Sequence, residues 1–252
     1  MDNTASQDVR YGHAEIEAKM NAAIFVISCW QNYARRQAIR ATWAKLSPLP
    51  VYFVLGRPSY LIGTPKEPDA VVVNAFDDYI HLPEKVHAMV DFASASYDKI
   101  LKVDDDAFVA ADRFPANIPD ASYVGHVCQN KPGSTVYCHG GAGYWLDMKA
   151  MAAINVSKPS GLSEDAYVAR ACFSQGIHPV NDTRYIVESG PFRWHRLPRA
   201  SNDLLVTSEF TAEEMERCLR MYQADDREDK MSADEYKAKV LRARPENSPT
   251  QI

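Results

Sequence analysis

The chain has 252 residues, of which 46% are hydrophobic and 24% charged, with 11 Gly and 15 Pro. That composition excludes disordered, collagen-like and disulfide-scaffold proteins, and it leaves room for one large α/β domain or two small ones. Lys and Arg number 28 against 33 Asp and Glu, a net charge of −5, so no general basic field can hold a polyanion and nucleic-acid binding is not expected.

In chain order, Met1 to Arg10 lack the basic-then-apolar order of a secretory signal. The first long apolar run, Ala22 to Trp30, is far shorter than the ~20 residues of a membrane span. A soluble cytoplasmic protein is expected, or a Golgi-lumenal one whose anchor has been removed. Ala22 to Cys29 reads as a buried strand, and Tyr33 to Lys45 as a helix with Ile39 and Trp43 on one face. Val51 to Gly56 and Val71 to Phe76 read as the second and third strands. Leu82 to Tyr97 reads as a helix opened by Pro83, and Lys99 to Val103 as the fourth strand. Strands alternating with helices predict a Rossmann-like, mainly parallel central sheet with ligands beyond the carboxyl ends of its strands.

Past residue 110 shorter strands are expected around Tyr123, Val136 and Tyr144. A helix from about Glu164 to Gln175 and a strand at Tyr185 to Val187 follow, then a loop through Pro191 and Pro198. Two capping boxes, Thr211 with Glu214 and Ser232 with Glu235, open tail helices, the first turning Met215, Leu219 and Tyr222 inward. Those helices could complete the core, cover an acceptor groove or form a homodimer contact. The five cysteines form no C-x-x-C pair, which speaks against a zinc knuckle, while Cys128 and Cys138 could clip one loop.

The sharpest chemical feature is Lys102-Val103-Asp104-Asp105-Asp106. In an extended chain Asp104 and Asp106 project to one side about 7 Å apart, while Asp105 points away. A divalent cation removes the mutual repulsion of such carboxylates, and their hard oxygens suit magnesium or manganese; a solvated acidic turn is the alternative reading. Arg36 and Arg40 lie four apart on one helix face. Gly140-Gly141-Ala142-Gly143 lacks the Lys-Ser/Thr of a P-loop and permits either close backbone approach to a ligand or a tight turn. Ser163-Glu164-Asp165 reads as a helix N-cap with acidic first-turn residues, or as a general base with an acidic neighbour.

Taken together, RQAIRATW at 36–43, VYFVLG at 51–56, YDKILKVDDDAFV at 97–109, GGAGY at 140–144 and SED at 163–165 closely resemble successive motifs of one family. It is the β-1,3-glycosyltransferase family of β-1,3-galactosyltransferases, core 1 galactosyltransferase and the Fringe enzymes. The resemblance covers about residues 22 to 197. It implies a GT-A domain there, with residues 198 to 252 as a C-terminal helical extension. It also implies a UDP-sugar donor, a glycan, glycoprotein or glycolipid acceptor, and a manganese- or magnesium-dependent inverting transfer of a hexose, with a β-1,3 linkage. By position in the motifs, Asp106 matches the metal-binding aspartate, Asp104 the one facing the ribose or donor sugar, and Asp165 the catalytic base. His195, in FRWH at 192–195, sits where the family has a second metal ligand. Arg36, Lys85, Asp105, Gly141, Ala142 and Gly143 fall where the family borders its donor. Two rival readings remain: a metal-dependent nucleotidyl or phosphoryl transferase on the same sheet, and a non-catalytic nucleotide-sugar-binding module.

Overall fold

Six consecutive apolar residues, Ala22–Ile27, present no polar face and form a strand buried on both sides, β1. The computed structural model describes residues 21–57, 67–159, 163–187, 205–208 and 210–223. In it β1 pairs in parallel with β2 (Val51–Arg57) and with β4 (Lys99–Asp104), so that Ile24 faces Val51 on one side and Leu101 on the other. The strand β3 (Ala70–Phe76) extends the sheet in parallel beyond β2. Past β4 the direction reverses. The strand β9 (Tyr144–Asp147) runs antiparallel to β4, β6 (Tyr123–Gly125) pairs antiparallel with β9, and β10 (Val180–Asn181) closes that edge parallel to β6. The result is a seven-stranded, mainly parallel sheet.

Alternation along β1 and β4 divides the core into two layers. Ala23, Phe25, Ile27 and Ile100 pack beneath α2 (Leu82–Ser94), α3 (Met148–Asn155) and α4 (Glu164–Phe173). Ile24, Val26, Leu101 and Val103 pack beneath α1 (Tyr33–Ala41) and α5 (Ala212–Gln223). Each buried Val, Ile or Phe contributes about 1.5–3 kcal/mol, so the centre of the sheet is where stability is concentrated. On the α1 side a three-stranded sheet joins β5 (Phe108–Val109), β12 (Val206–Thr207) and β11 (Tyr185–Ile186). A separate hairpin pairs β7 (Val127–Gln129) with β8 (Val136–Cys138).

Several expectations shift. The helix expected to run to Lys45 ends at Ala41, where the Thr42 hydroxyl donates to the Ala38 carbonyl at 2.6 Å, and a 3-10 turn, Trp43–Leu46, replaces its last turn. Trp43 is fully buried there, and its indole N–H donates to the Ala107 carbonyl at 3.0 Å, bracing the chain just past the acidic triplet. Helix α2 stops at Ser94. Helix α3 was not expected at all; it is capped by Asp147, which accepts from the Lys149 and Ala150 amides at 2.9 and 3.0 Å. Cys128 and Cys138 are free thiols: in the hairpin register Cys128 faces Tyr137 and Cys138 faces Val127, which puts the two sulfurs on opposite faces.

The first tail capping box forms as expected. The Thr211 amide donates to Glu214 at 2.9 Å and the Glu214 amide to the Thr211 hydroxyl at 3.3 Å. Met215, Cys218 and Leu219 of α5 join the core beneath α1, so this helix belongs to the same packed body as the sheet. The second box and the loop through Pro191 and Pro198 lie outside the described residues. Among the described residues no helix is long and apolar enough to cross a membrane.

Candidate active site

The parallel strands deliver their loops to one edge, and the acidic triplet sits at the middle of it. At the end of β4 the Ala107 amide donates to the Asp104 carbonyl at 3.1 Å, closing a turn that splays the three carboxylates. Asp105 turns inward and is buried. It accepts from the Ser28 hydroxyl at 2.6 Å, the Asn32 amide at 2.9 Å and the Arg35 guanidinium at 2.9 Å, all from the loop and helix that follow β1. Asp104 stays about a third exposed. The Asp106 Oδ1 is buried and meets no donor among the described residues. Burial first, and the Asp104 charge next, push its carboxyl up to about 6, against the pull of Arg35.

Two cavities open at this turn. The smaller, about 390 Å³, is lined on its far side by Ser28, Cys29, Asn32, Arg35, Asp77 and Lys85. Lys85 is buried; its ammonium donates to the Ser28 carbonyl at 3.0 Å and to Asp77 at 2.5 Å. Asp77 in turn accepts from the Trp30 and Gly56 amides, so Lys85 ties together the ends of β1, β2 and β3 while facing the cavity. Arg36 is placed differently. It is buried, grips Glu67 with two hydrogen bonds of 3.0 and 2.8 Å, and donates to Ser28 and the Cys29 carbonyl. Arg36 lines neither cavity, whereas its neighbour Arg35, with 37% of its side chain exposed, lines this one. Arg40 holds the helix down through Glu67 and Asp69.

The larger cavity, about 500 Å³, is lined by Asp104, Asp106, His139, Gly141, Ser163, Glu164, Asp165 and Ser208, with Tyr79, Ile80, Leu82 and Pro83 opposite. Ser163 makes no side-chain cap to α4; its expected N-cap bond is not formed. Asp165 Oδ1 accepts the Gly140 amide at 3.0 Å. Glu164 beside it is buried, and burial pushes its carboxyl up to about 7, with Lys102 pulling down and Asp165 pushing further up. Its Oε1 accepts the Tyr144 hydroxyl. Lys102 is buried inside β4 and has an acceptor for each of its three protons: Asp104 at 2.8 Å, Gly140 O at 3.1 Å and Glu164 at 3.2 Å. Burial pulls the pKa of this ammonium down, but Asp104, Glu164 and Asp165 outweigh it and raise it.

The glycine run explains how these groups come so close. A Cβ on Gly140 would lie 2.4 Å from both the Asp165 and Glu164 oxygens, so only glycine lets the backbone reach them. Gly141 borders the larger cavity. Ala142 is buried, and Gly143 has φ +78° and lies against the Lys102 carbonyl and Val103; these two shape the turn behind the wall. Sequence reasoning missed Arg35, Lys102, His139 and Ser208. A lysine inside an otherwise apolar strand is itself a signal of a buried anionic partner, whereas nothing local marks Ser208. His139, which lines the cavity, is held below its usual range by burial and by Lys102.

A divalent cation fits at Asp106, because an unpartnered buried carboxylate oxygen is a hard ligand that lacks its counter-charge. His195 lies outside the described residues, and among the described residues no three His, Cys, Asp or Glu side chains converge on one metal position.

Residues 34–139 match the family model for galactosyltransferases. No curated protein matches the chain. Among solved structures it is similar to an active-site mutant of LgtC, with 11% identity, 82% of this chain and 98% of that chain covered, and a TM-score of 0.49. It is also similar to the mannosyltransferase PcManGT from Pyrobaculum calidifontis, solved with GDP-Man and Mn2+, with 12% identity, 64% and 54% coverage and a TM-score of 0.45. A third is apo GlyE from Streptococcus pneumoniae, with 12% identity, 82% and 61% coverage and a TM-score of 0.45. The chain spans about half the length of the mannosyltransferase.

Proposed function

We propose that this chain, galactosyltransferase-like over residues 34–139, is a metal-dependent glycosyltransferase of the GT-A type. It moves a hexose, either galactose, glucose or an N-acetylhexosamine, from a UDP-sugar to a hydroxyl of a glycan, glycoprotein or glycolipid, with inversion and a β-1,3 linkage. The observation that carries the reading is that two cavities share a wall: Tyr79, Leu82, Asp104 and Asp106 line both. Inverting transfer needs a donor on one side of the reacting carbon and an acceptor hydroxyl, with its base, on the other. Two cavities of ligand size meeting at one pair of carboxylates match that requirement.

In this reading the smaller cavity takes the nucleotide. Arg35 and Lys85 bring positive charge to its anionic end, and Asp104 accepts from hydroxyls of the ribose or donor sugar. A divalent cation held by Asp106, with His195 as the second protein ligand, would neutralise the departing diphosphate. Asp165, on the wall of the larger cavity, takes the proton of the attacking hydroxyl. The Gly140 amide fixes the orientation of its carboxylate, and the second carboxylate Glu164 is held aside by Lys102 and Tyr144.

Incubation with a panel of UDP-hexoses, manganese and simple glycosides tests the proposal. Release of UDP with a β-linked product is expected. Appearance of UMP or pyrophosphate instead would make the chain a nucleotidyl transferase, and donor binding without turnover on any acceptor would make it a binding module.

A further inference from the structure

Ser208 follows β12 in the C-terminal segment, outside the matched residues 34–139 and remote in sequence from the acidic triplet. The fold brings the two together. Strand β12 runs antiparallel to β5 with Thr207 opposite Phe108, and beyond it the Phe210 amide donates to the Asp106 carbonyl at 2.9 Å. The segment thus lies along the acid turn, and Ser208 lines the same cavity as Asp106.

Its side chain is unusual for a serine in a packed interior. The residue is fully buried, yet among the described residues its Oγ has no hydrogen-bond partner. A buried hydroxyl left unmet forfeits its hydration without replacement, and such groups are rare in native folds unless something outside the chain meets them. The Asp106 Oδ1 is in the same condition, and Asp106 lines the same cavity. An orphan carboxylate oxygen calls for a cation, and an orphan hydroxyl for an oxygen acceptor. A cation-bound diphosphate presents both at once: the cation to the carboxylate and phosphoryl oxygens to the hydroxyl.

We propose that Ser208 is a ligand-binding residue of this site, whose hydroxyl donates to a phosphoryl oxygen of a nucleoside diphosphate bound with its divalent cation at Asp106. The inference rests on the glycosyltransferase reading and deepens it: Ser208 lines the larger cavity, so it would meet the diphosphate at Asp106, on the wall that the two cavities share. A hydrogen bond to a charged oxygen is the stronger kind, so its loss weakens binding about tenfold or more.

The test is calorimetric titration of the whole chain with manganese and UDP, and separately with uridine, for the wild type, Ser208→Ala and Ser208→Cys. The expected result is that both variants bind manganese–UDP at least about tenfold more weakly than wild type, with uridine affinity unchanged. The melting temperature of the free Ser208→Ala protein is expected to equal or exceed that of wild type, since the hydroxyl it lacks has no protein partner. Ser208→Cys carries the same comparison if the alanine variant fails to fold. Wild type that binds manganese–UDP no better than variants within twofold would overturn the role of Ser208 alone. A variant that only raises the acceptor KM would also overturn it, placing the hydroxyl on the acceptor. Wild type that binds no manganese–UDP at all would overturn the glycosyltransferase reading and this inference with it.

Discussion

Replacing Asp106 by Asn should make the metal-free protein more stable, not less. The Asp106 carboxyl is raised from 3.8 to about 6, so the folded chain holds its proton more tightly than the unfolded chain does. The sign follows from linkage: no penalty exists below about pH 4, the fold loses stability as pH rises through the window from about 4 to 6, and the full cost applies above about 7. That rise corresponds to about 3 kcal/mol at neutral pH. Asparagine has the same shape and cannot ionise, but its buried amide must itself find partners, which returns about 1 kcal/mol. A net gain of about 2 kcal/mol raises Tm by several degrees in a chain of this size, at about 2–4 °C per kcal/mol. Thermal unfolding of wild type and Asp106→Asn from pH 4 to pH 8, with and without manganese, reads all of this. The variant should melt higher at pH 8 without metal, the two should converge toward pH 4, and manganese should stabilise only the wild type. A variant that melts lower at pH 8 while keeping the full manganese increment would refute the reasoning, since the carboxylate would then have a protein partner and no cation.

Other residues separate along the same physical lines. Asp165→Asn should lower kcat by about 10²–10⁴ while leaving manganese–UDP affinity unchanged, since a base acts only in the transition state; steady-state kinetics with calorimetry decides it. Arg35→Ala should weaken UDP binding and also lower Tm, because it takes the guanidinium partner from buried Asp105, whereas Arg36→Ala should destabilise by about 1.5–3 kcal/mol, leaving Glu67 to Arg40 alone, with UDP affinity unchanged; an equal effect of both on UDP affinity would undo the distinction. Gly140→Ala should cost activity far more than stability, because the new methyl meets the movable ends of Asp165 and Glu164. A variant with wild-type kcat would show that those carboxylates need not be held where they are.

The four parallel strands and the helices after β1 and β3 were legible because each is long, uniformly buried or clearly periodic. The acid turn stood out only through the motifs around it, since three adjacent carboxylates taken alone also read as a solvated turn. What sequence could not resolve is which of two adjacent arginines faces the cavity. Arg35 and Arg36 have the same chemistry, and the choice is made by Asp105 and Glu67, which stand 70 and 31 residues away in the chain. The strands past residue 110 are only two to four residues long, too short for periodicity to fix how they pair. Ser208 was invisible because its significance lies wholly in tertiary placement beside Asp106.

The balance of charge at the meeting of the two cavities has a consequence of its own. Asp104, Asp106, Glu164 and Asp165 all line the larger cavity, and Lys102 is shared between Asp104 and Glu164. Raising Glu164 to about 7 removes part of one negative charge near neutrality, yet the wall remains anionic. A diphosphate brought to the shared wall therefore meets like charge, which Arg35, itself paired with Asp105, offsets only in part. Uridine, which carries no phosphate, does not meet that repulsion. The same wall that repels the leaving group also concentrates divalent cations. In this reading the cation is a condition for the nucleotide diphosphate to stay bound, as well as a stabiliser of its departure. Donor affinity should then fall steeply when the metal is chelated, while affinity for the uracil-bearing nucleoside alone stays level.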